Sequence, residues 1–572
     1  MGRYIKNMKP ANLLEAVAEP AGENAKALGA YYTDDRVADF LVWWAVRSPQ
    51  DTVLDPSFGG GAFLRPGCKR LQNLGGHPEA LVWGIEIDPQ VHASTAERIA
   101  REHGVHHRNL LCSDFFAVRR TDLPPIKVIV GNPPFIRYQR FSGNARTKAQ
   151  ACAMMEGVRL TSLSSSWAPF LVHSVGILSD GGRLAMVLPV EIGHAAYAIP
   201  VLAHLKKSFS KVTFLTFRKR LFPNLSEDTL LALAENKGAG PAQFFWRDFA
   251  DASGLAAIQN HGDYAFAGKR RVNGAALAEG HERLSECFVP RKALELYRHL
   301  AHLPEVRRLG DLANVGIGYV TGANDFFHLD PCTAKKWRIP IGCLRPAVRR
   351  GRALQGLRFT SMDWRGACES GDAGYLLYVE PEQTLPKSVL AYLEHGEKYG
   401  VPRAYKCRSR SPWFRVPHIY LPDAFLTYMS GLTPRLVANE AEAVAPNTLH
   451  VVRLRPEGSL TADGLAASWQ TSLTELSAEI EGHAMGGGML KLEPTEAQNV
   501  VLVCHASVNG NLTELAEELD SLIRRGEAAR AHFRADNVIL REFLGLTERD
   551  CRLLQCAADH LRNRRYTRSA TA

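Results

Sequence analysis

Residues 128–140 read VIVGNPPFIRYQR. The three β-branched residues Val128, Ile129 and Val130 favour a pleated strand, and Gly131 ends it. Proline fixes its own φ and drives the preceding residue towards extended backbone. Asn132-Pro133-Pro134 is therefore a rigid turn rather than a flexible loop, and it holds its polar atoms in place at the end of a strand. Three other stretches have the same form: TVLDPSFGGG (52–61), LVWGIEID (81–88) and GGRLAMVLPV (181–190), with amphipathic, helix-like segments between them. This alternation, from about residue 26 to 280, predicts a parallel α/β sheet. Ligands of such sheets bind outside the carboxyl ends of the strands.

The residues at those ends are chemically selective. In VLDPSFGGGAFL a strand ends at Asp55, and Gly59 and Gly61 permit a tight turn that lets backbone approach a ligand. Glu86 ends the next strand twenty-five residues after Gly61, where a carboxylate can accept hydrogen bonds from both hydroxyls of a ribose. Asp114 in LCSDFFAV falls at the spacing of a third strand end, where it serves equally well as a helix cap. The chain has neither GxGxxG nor a P-loop, so a nucleoside of little negative charge fits better than a dinucleotide or triphosphate. At the fourth end, the side-chain oxygen of Asn132 and the backbone carbonyl of Pro133 are placed to accept both N–H bonds of one exocyclic amine. Phe135 offers a flat face to the ring bearing that amine. Such an amine is a weak nucleophile because its lone pair is delocalised. Two fixed acceptors favour a tetrahedral nitrogen whose lone pair points at an incoming methyl group.

At 572 residues and 46% hydrophobic, the chain can bury two or three cores. No apolar run approaches the ~18–20 residues that span a bilayer, so the expected location is the cytoplasm. Eleven cysteines lack a CxxC pair, which suggests no zinc site and no disulfide framework. The net charge of +10 is concentrated. Residues 331–420 hold sixteen Lys and Arg against seven Asp and Glu. Within them, YKCRSRSPWFRVP (405–417) sets Lys406, Arg408, Arg410 and Arg415 around Trp413 and Phe414 without an acid. This composition suits phosphates and base edges, although a solvated basic loop reads the same way.

The order GAYYTDDRVADFLV, LDPSFGGGAFL, GIEIDP, SDFF, GNPPFIRY, LFPNLSEDTLLAL resembles the γ-class S-adenosylmethionine-dependent DNA amino-methyltransferases of restriction-modification systems, of the TaqI and PstI type. VGIGYVTGANDFF, LRPAVRRGRAL, KCRSRSPWFRVP and NEAEAVAPNTLHVV extend the likeness to the recognition region of the PstI-like members. The resemblance implies a Rossmann-like class I methyltransferase sheet, mostly parallel and doubly wound, followed by an α+β target-recognition domain. The expected partition is an N-terminal extension (1–25), a catalytic domain (26–280), a recognition domain (281–510) and a helical C-terminal segment (511–572) whose role the sequence leaves open. It further implies that Thr33 and Asp55, with Gly59 and Gly61, line the methionine part of S-adenosyl-L-methionine, that Glu86 holds its ribose, and that Asp114 and Phe115 meet its adenine; Phe170 packs on the cofactor or, equally well, in the core. Asn132, Pro133, Pro134 and Phe135 match the catalytic tetrad, although the family often has tyrosine where this chain has Phe135. Phe222 matches the residue that sandwiches a flipped base from its other face. Asparagine at the first tetrad position points to adenine N6 rather than cytosine N4. Lys406, Arg408, Arg410, Trp413 and Arg415 are the implied contacts to double-stranded DNA. A bacterial monomer is expected, with a cognate restriction endonuclease as functional partner and no metal.

Other classes share parts of this pattern. NPPF-type tetrads also occur in enzymes that methylate RNA or protein glutamine, but the ~290 residues beyond 280 exceed what those generally carry. A fused restriction-modification enzyme needs a nuclease domain with metal-binding carboxylates, and a DNA-binding protein that lost activity would have no need of Asp55, Glu86 and Asn132 together.

Overall fold

The computed structural model describes residues 33–222, 228–264, 266–380, 384–456, 460–504 and 509–570. The expected N-terminal extension lies outside them, as does the middle of LFPNLSEDTLLAL. The first half is built on one nine-stranded sheet. Its strands are β1 (Val53–Asp55), β2 (Val82–Glu86), β3 (Leu110–Cys112), β4 (Ile126–Gly131), β5 (Leu178–Pro189), β6 (Lys211–Phe217), β7 (Thr229–Glu235), β8 (Gln243–Phe249) and β9 (Arg270–Val272). The spatial order is β3-β2-β1-β4-β5-β7-β6-β8-β9. The first five run parallel. β7 inserts antiparallel between β5 and β6, and β6 and β8 return to the parallel direction.

The central strands are buried along nearly their whole length, as a sheet covered by helices on both faces requires. Helix α1 (Asp35–Ala45) opens with Asp34 accepting from Arg36 N at 2.9 Å, and it buries Val37, Phe40, Leu41 and Trp44 against the sheet. Helix α2 (Pro89–His103) starts where Asp88 caps Gln90 and Val91 with proline in the first turn. It stops at Gly104, whose φ of 71° is left-handed. Helix α3 (Trp167–Ile177) is buried almost all round. This first core takes its side chains from Val37 through Cys287.

Beyond it the chain is α+β. A five-stranded sheet orders Ala313–Ile317, Leu449–Leu454, Ala424–Thr427, Leu436–Asn439 and Arg358–Phe359, and two three-stranded sheets flank it. Three further cores fill this half. Among the described residues no helix is long and apolar enough to cross a membrane.

The C-terminal segment supplies the tie between the halves. Helix α4 (Ser472–Glu481) packs on the last helix, α5 (Glu548–Ala570). On α5, Arg565 meets buried Glu479 at 3.0 Å and donates to the backbone carbonyls of Gly431, Leu432 and Gly488. Arg564, next to it on the same side of α5, forks onto Asp248 of β8 at 2.6 and 2.7 Å. Arg568 reaches Asp228, at the start of β7, at 3.3 Å. One helix thus carries cations to both halves. Buried ion pairs of this kind repay their desolvation only when every hydrogen bond is made, and removal of one partner strands a charge. Arg565→Met is expected to cost about 3–5 kcal/mol, read as a lower thermal unfolding midpoint, while Arg565→Met with Glu479→Leu recovers most of the loss. A double variant as unstable as the single one would show that the stranded carboxylate is not the cause.

Candidate active site and nucleic-acid interface

The carboxyl ends of β1, β2 and β4 converge, and hydrogen bonds join their polar residues. Glu86 accepts from Gly59 N at 2.9 Å through one oxygen and from Asp88 N at 2.9 Å through the other. This pins the glycine turn to the neighbouring strand. Gly59 and Gly61 have φ of 48° and 77°, a region that side chains rarely adopt, and a Cβ at Gly61 would lie 3.2 Å from Thr95 Cγ2. Asp55 is fully buried and accepts from Ser57 N at 3.1 Å. Its other oxygen has no hydrogen-bond partner among the described residues. Burial, reinforced by Glu86 and opposed by the Ser57 amide, pushes the Asp55 carboxyl up to about 8.

The diproline turn is fixed from three sides. Thr33 Oγ1 accepts from Asn132 Nδ2 at 3.3 Å, which orients the amide and leaves Asn132 Oδ1 buried without a partner among the described residues. Ser57 Oγ donates to the Asn132 carbonyl at 3.3 Å. Ser166, at the head of α3, donates to the Pro134 carbonyl, accepts from Ile136 N at 2.8 Å and donates its own N–H to the Ile136 carbonyl at 3.0 Å. Thr33, which the family resemblance assigns to the cofactor, thus bonds directly to the tetrad asparagine. Ser166 was not read as a site residue: its contact lies 30 to 32 residues away in sequence, and no local spacing signals it.

Asp114 takes the capping role that the sequence allowed. It caps a short turn by accepting from Phe116 N at 3.0 Å, and its second oxygen meets Lys148 at 3.3 Å. Phe115 and Phe170 pack with ring centres 4.6 Å apart, and His173 lies 4.6 Å from Phe115. His173 Nε2 donates to the carbonyls of Val118 and Phe115, while burial holds its pKa below the ordinary value. Phe135 lines a cleft of about 610 Å³. Across that cleft stand His483, Lys491 and the α5 arginines. Phe222 is buried. It directly precedes residues 223–227, whose flanks Arg220 and Asp228 pair at 3.1 Å.

The basic stretch divides. Lys406 and Arg408 are exposed, with their cations 5.5 and 5.4 Å from the Tyr405 ring centre. Arg410 instead donates to the carbonyls of Thr321 and Val320, which fastens this loop to the VGIGYVTGANDFF segment. Trp413 is half-buried, packs on Phe326 at 5.6 Å and donates to Glu397 at 3.2 Å. Arg415 is half-buried beside it.

Comparison with known proteins places this geometry. Residues 13–194 match the family described as N-6 DNA methylase, and residues 281–540 match the C-terminal domain of the type II methyltransferase M.Eco57I. Type II methyltransferase M.AccI of Acinetobacter calcoaceticus is 21% identical over 83% of this chain and 85% of its own. M.XamI of Xanthomonas campestris pv. amaranthicola is 20% identical over 84% and 86%. The Type IIL restriction-modification enzyme MmeI, solved in complex with DNA, shares the fold at a TM-score of 0.57, covering 95% of this chain and 80% of that one at 11% identity. The family matches and these relatives identify a methyltransferase. More narrowly, the chain is an N6-adenine DNA methyltransferase of the kind found in restriction-modification systems.

Because Asp55 is held protonated, the native state keeps a proton that the unfolded chain releases above about pH 4. Between that pH and about 8, native stability therefore falls as pH rises. Asp55→Asn, which mimics the protonated form, is expected to unfold close to the wild type at pH 4.5 and at a higher temperature than it at pH 8. Parallel pH profiles for the two proteins would exclude the raised pKa.

Proposed function

We propose that the chain transfers a methyl group from S-adenosyl-L-methionine to N6 of an adenine extruded from double-stranded DNA. The observation that carries this reading is Asn132 Oδ1, a buried acceptor with no partner among the described residues. Leaving such a group unmade costs about 1–3 kcal/mol, which a bound amine would recover. The residues present also suit the cofactor. Asp55 offers a buried carboxyl, protonated while the site is empty, that an ammonium beside it would draw into its charged form; Glu86 keeps lone pairs free for ribose hydroxyls, and Phe115 with Phe170 provides an apolar wall for adenine. When bound, this cofactor supplies an electrophilic methyl carbon.

The protein's part is positioning and charge placement. Asn132 holds one amine hydrogen in a direction set by Thr33, and the Pro133 carbonyl is the candidate for the other. Phe135 and Phe222 stack on the extruded ring, and Ser166 stops the turn from swinging. No proton need be taken before attack, because the acceptors disfavour the planar amine and lower the barrier electrostatically. Arg408 and Lys406 are the exposed candidates for guanine edges and phosphates, whereas Arg410, Trp413 and Arg415 shape the loop that presents them. The motif order, cofactor turn before tetrad before recognition half, supports the γ-class grouping. Every residue invoked lies on one chain, which supports a monomer. The biological role that follows is protection of one short DNA site from a cognate endonuclease in the bacterial cytoplasm.

Asn132→Ala should lower methyl transfer by at least about 10²–10³-fold with duplex affinity unchanged, measured by transfer of labelled methyl to DNA and by sequencing that reports modified bases. Retained turnover would remove Asn132 from the chemistry. For Ser166→Ala the expectation is a roughly tenfold fall in kcat with KM for DNA unaltered. A change in KM alone would mean that Ser166 serves binding and not the tetrad.

A further inference from the structure

The carboxyl edge of the first sheet continues past the catalytic turn to a second cavity. β6 and β8 are parallel neighbours and point the same way as β1 and β4. Strand register places Thr216 beside Asp248 and Trp246 beside Arg270, all on one face. Arg218, one residue past β6, reaches the same face and meets Asp248 at 3.3 Å. Phe288, His560 and Arg564 close the opposite side of a cavity of about 370 Å³. Phe288 and Arg564 also line the larger cleft that contains Phe135, so the two spaces adjoin.

Charge in this cavity is unbalanced. Among the described residues, Arg218, Arg247, Arg270 and Arg564 line it with a single carboxylate, Asp248, which Arg564 already occupies in a bidentate fork at 2.6 and 2.7 Å. Elsewhere α5 matches its arginines to acids, as Arg565 with Glu479 and Arg562 with Glu475 show. The Arg218 side chain is 63% exposed at the mouth. Among the described residues, Arg270 makes one long side-chain hydrogen bond, 3.4 Å to the Cys287 carbonyl. Burial, then Arg564 and Arg218, hold His560 below its ordinary pKa, while Asp248 opposes them. The apolar wall is Trp246, whose indole N–H is taken by Thr216 Oγ1 at 2.9 Å and whose ring stands edge-on to Phe288 at 5.4 Å. Surplus arginine beside a flat apolar wall, in a space too large for one anion, matches a sugar-phosphate unit.

We propose that this cavity is a phosphodiester subsite, which grips the DNA backbone next to the extruded adenine from the catalytic half, apart from the 405–417 stretch. The proposal rests on the DNA reading above. A free phosphate or mononucleotide presents the same chemistry, so the test separates these sources. Association of the full-length protein with a labelled duplex is measured from 50 to 200 mM salt. Arg218→Ala with Arg270→Ala is expected to flatten the slope of log affinity against log salt by about two and to raise KM for DNA several-fold. The sequence methylated and kcat at saturating DNA should stay unchanged. Arg218→Lys with Arg270→Lys should keep the slope. A wild-type slope in the alanine variant, at intact kcat, overturns the subsite alone. If, at that unchanged slope, millimolar phosphate or adenosine monophosphate raises the wild-type unfolding midpoint and not the variant's, the cavity belongs to a free anion and the proposal fails. A wild-type protein that neither binds duplex in a salt-dependent way nor methylates it sinks the DNA reading itself, whatever the variant does. Arg218→Ala alone, at an exposed position, keeps the test valid should the double variant misfold, with an expected change of about one in slope.

Discussion

The molecule is organised around acceptors withheld from water at the carboxyl ends of parallel strands. Asp55 and Asn132 each bury an oxygen without a partner among the described residues, on adjacent strands β1 and β4. A fold tolerates such groups only where the surrounding structure over-determines them. Here Glu86 ties the glycine turn, Thr33 ties the amide, and Ser57 and Ser166 tie the backbone on either side of the prolines. In the reaction proposed above, rigidity is the condition for the chemistry: acceptors free to rotate would hydrogen-bond locally and lose their preference for a tetrahedral amine.

The strand ends were legible in the sequence because each one packs its information into fewer than a dozen residues. Val53 to Gly61, Val82 to Asp88 and Val128 to Phe135 each show an apolar run stopped by glycine, proline or acid, and each becomes a strand and turn as read. What stayed hidden was set by distance along the chain. TLLALAE has the composition of a buried strand, but nothing within it says that β7 runs antiparallel between β5 and β6. Ser166 shows only as one of three serines before Trp167. The basic stretch reads as a uniform patch, yet two of its arginines have different fates, because the position of the Val320 and Thr321 carbonyls is a tertiary fact. Arg408 faces solvent and Arg410 is spent on the backbone.

Compositional reading was least informative at the C-terminus. HLRNRRYTRSA fits a helix packed on the second half as well as a basic tail that touches DNA; in the structure Arg564, Arg565 and Arg568 are largely buried and paired with Asp248, Glu479 and Asp228. Helical spacing explains the outcome. Positions 564, 565 and 568 fall on one side of α5, so they act together as a seam. Net charge counts cations without regard to whether an acid elsewhere in the chain has claimed them.

That seam also constrains how recognition and chemistry are related. Arg565 holds the carbonyls of Gly431, Leu432 and Gly488 in the second half, while Arg568, less than one turn on, holds the residue from which β7 begins, just after the segment that carries Phe222. With Glu479 and Asp228 both poorly hydrated, neither half can shift against α5 without stranding a charge, and the cost of that grows as the dielectric falls. The spacing between the segments around Gly431 and Gly488 and the start of β7 is therefore set by one rigid element rather than by a linker. Under the function proposed above, such a frame would favour an adenine at a fixed offset from the bases that the second half contacts.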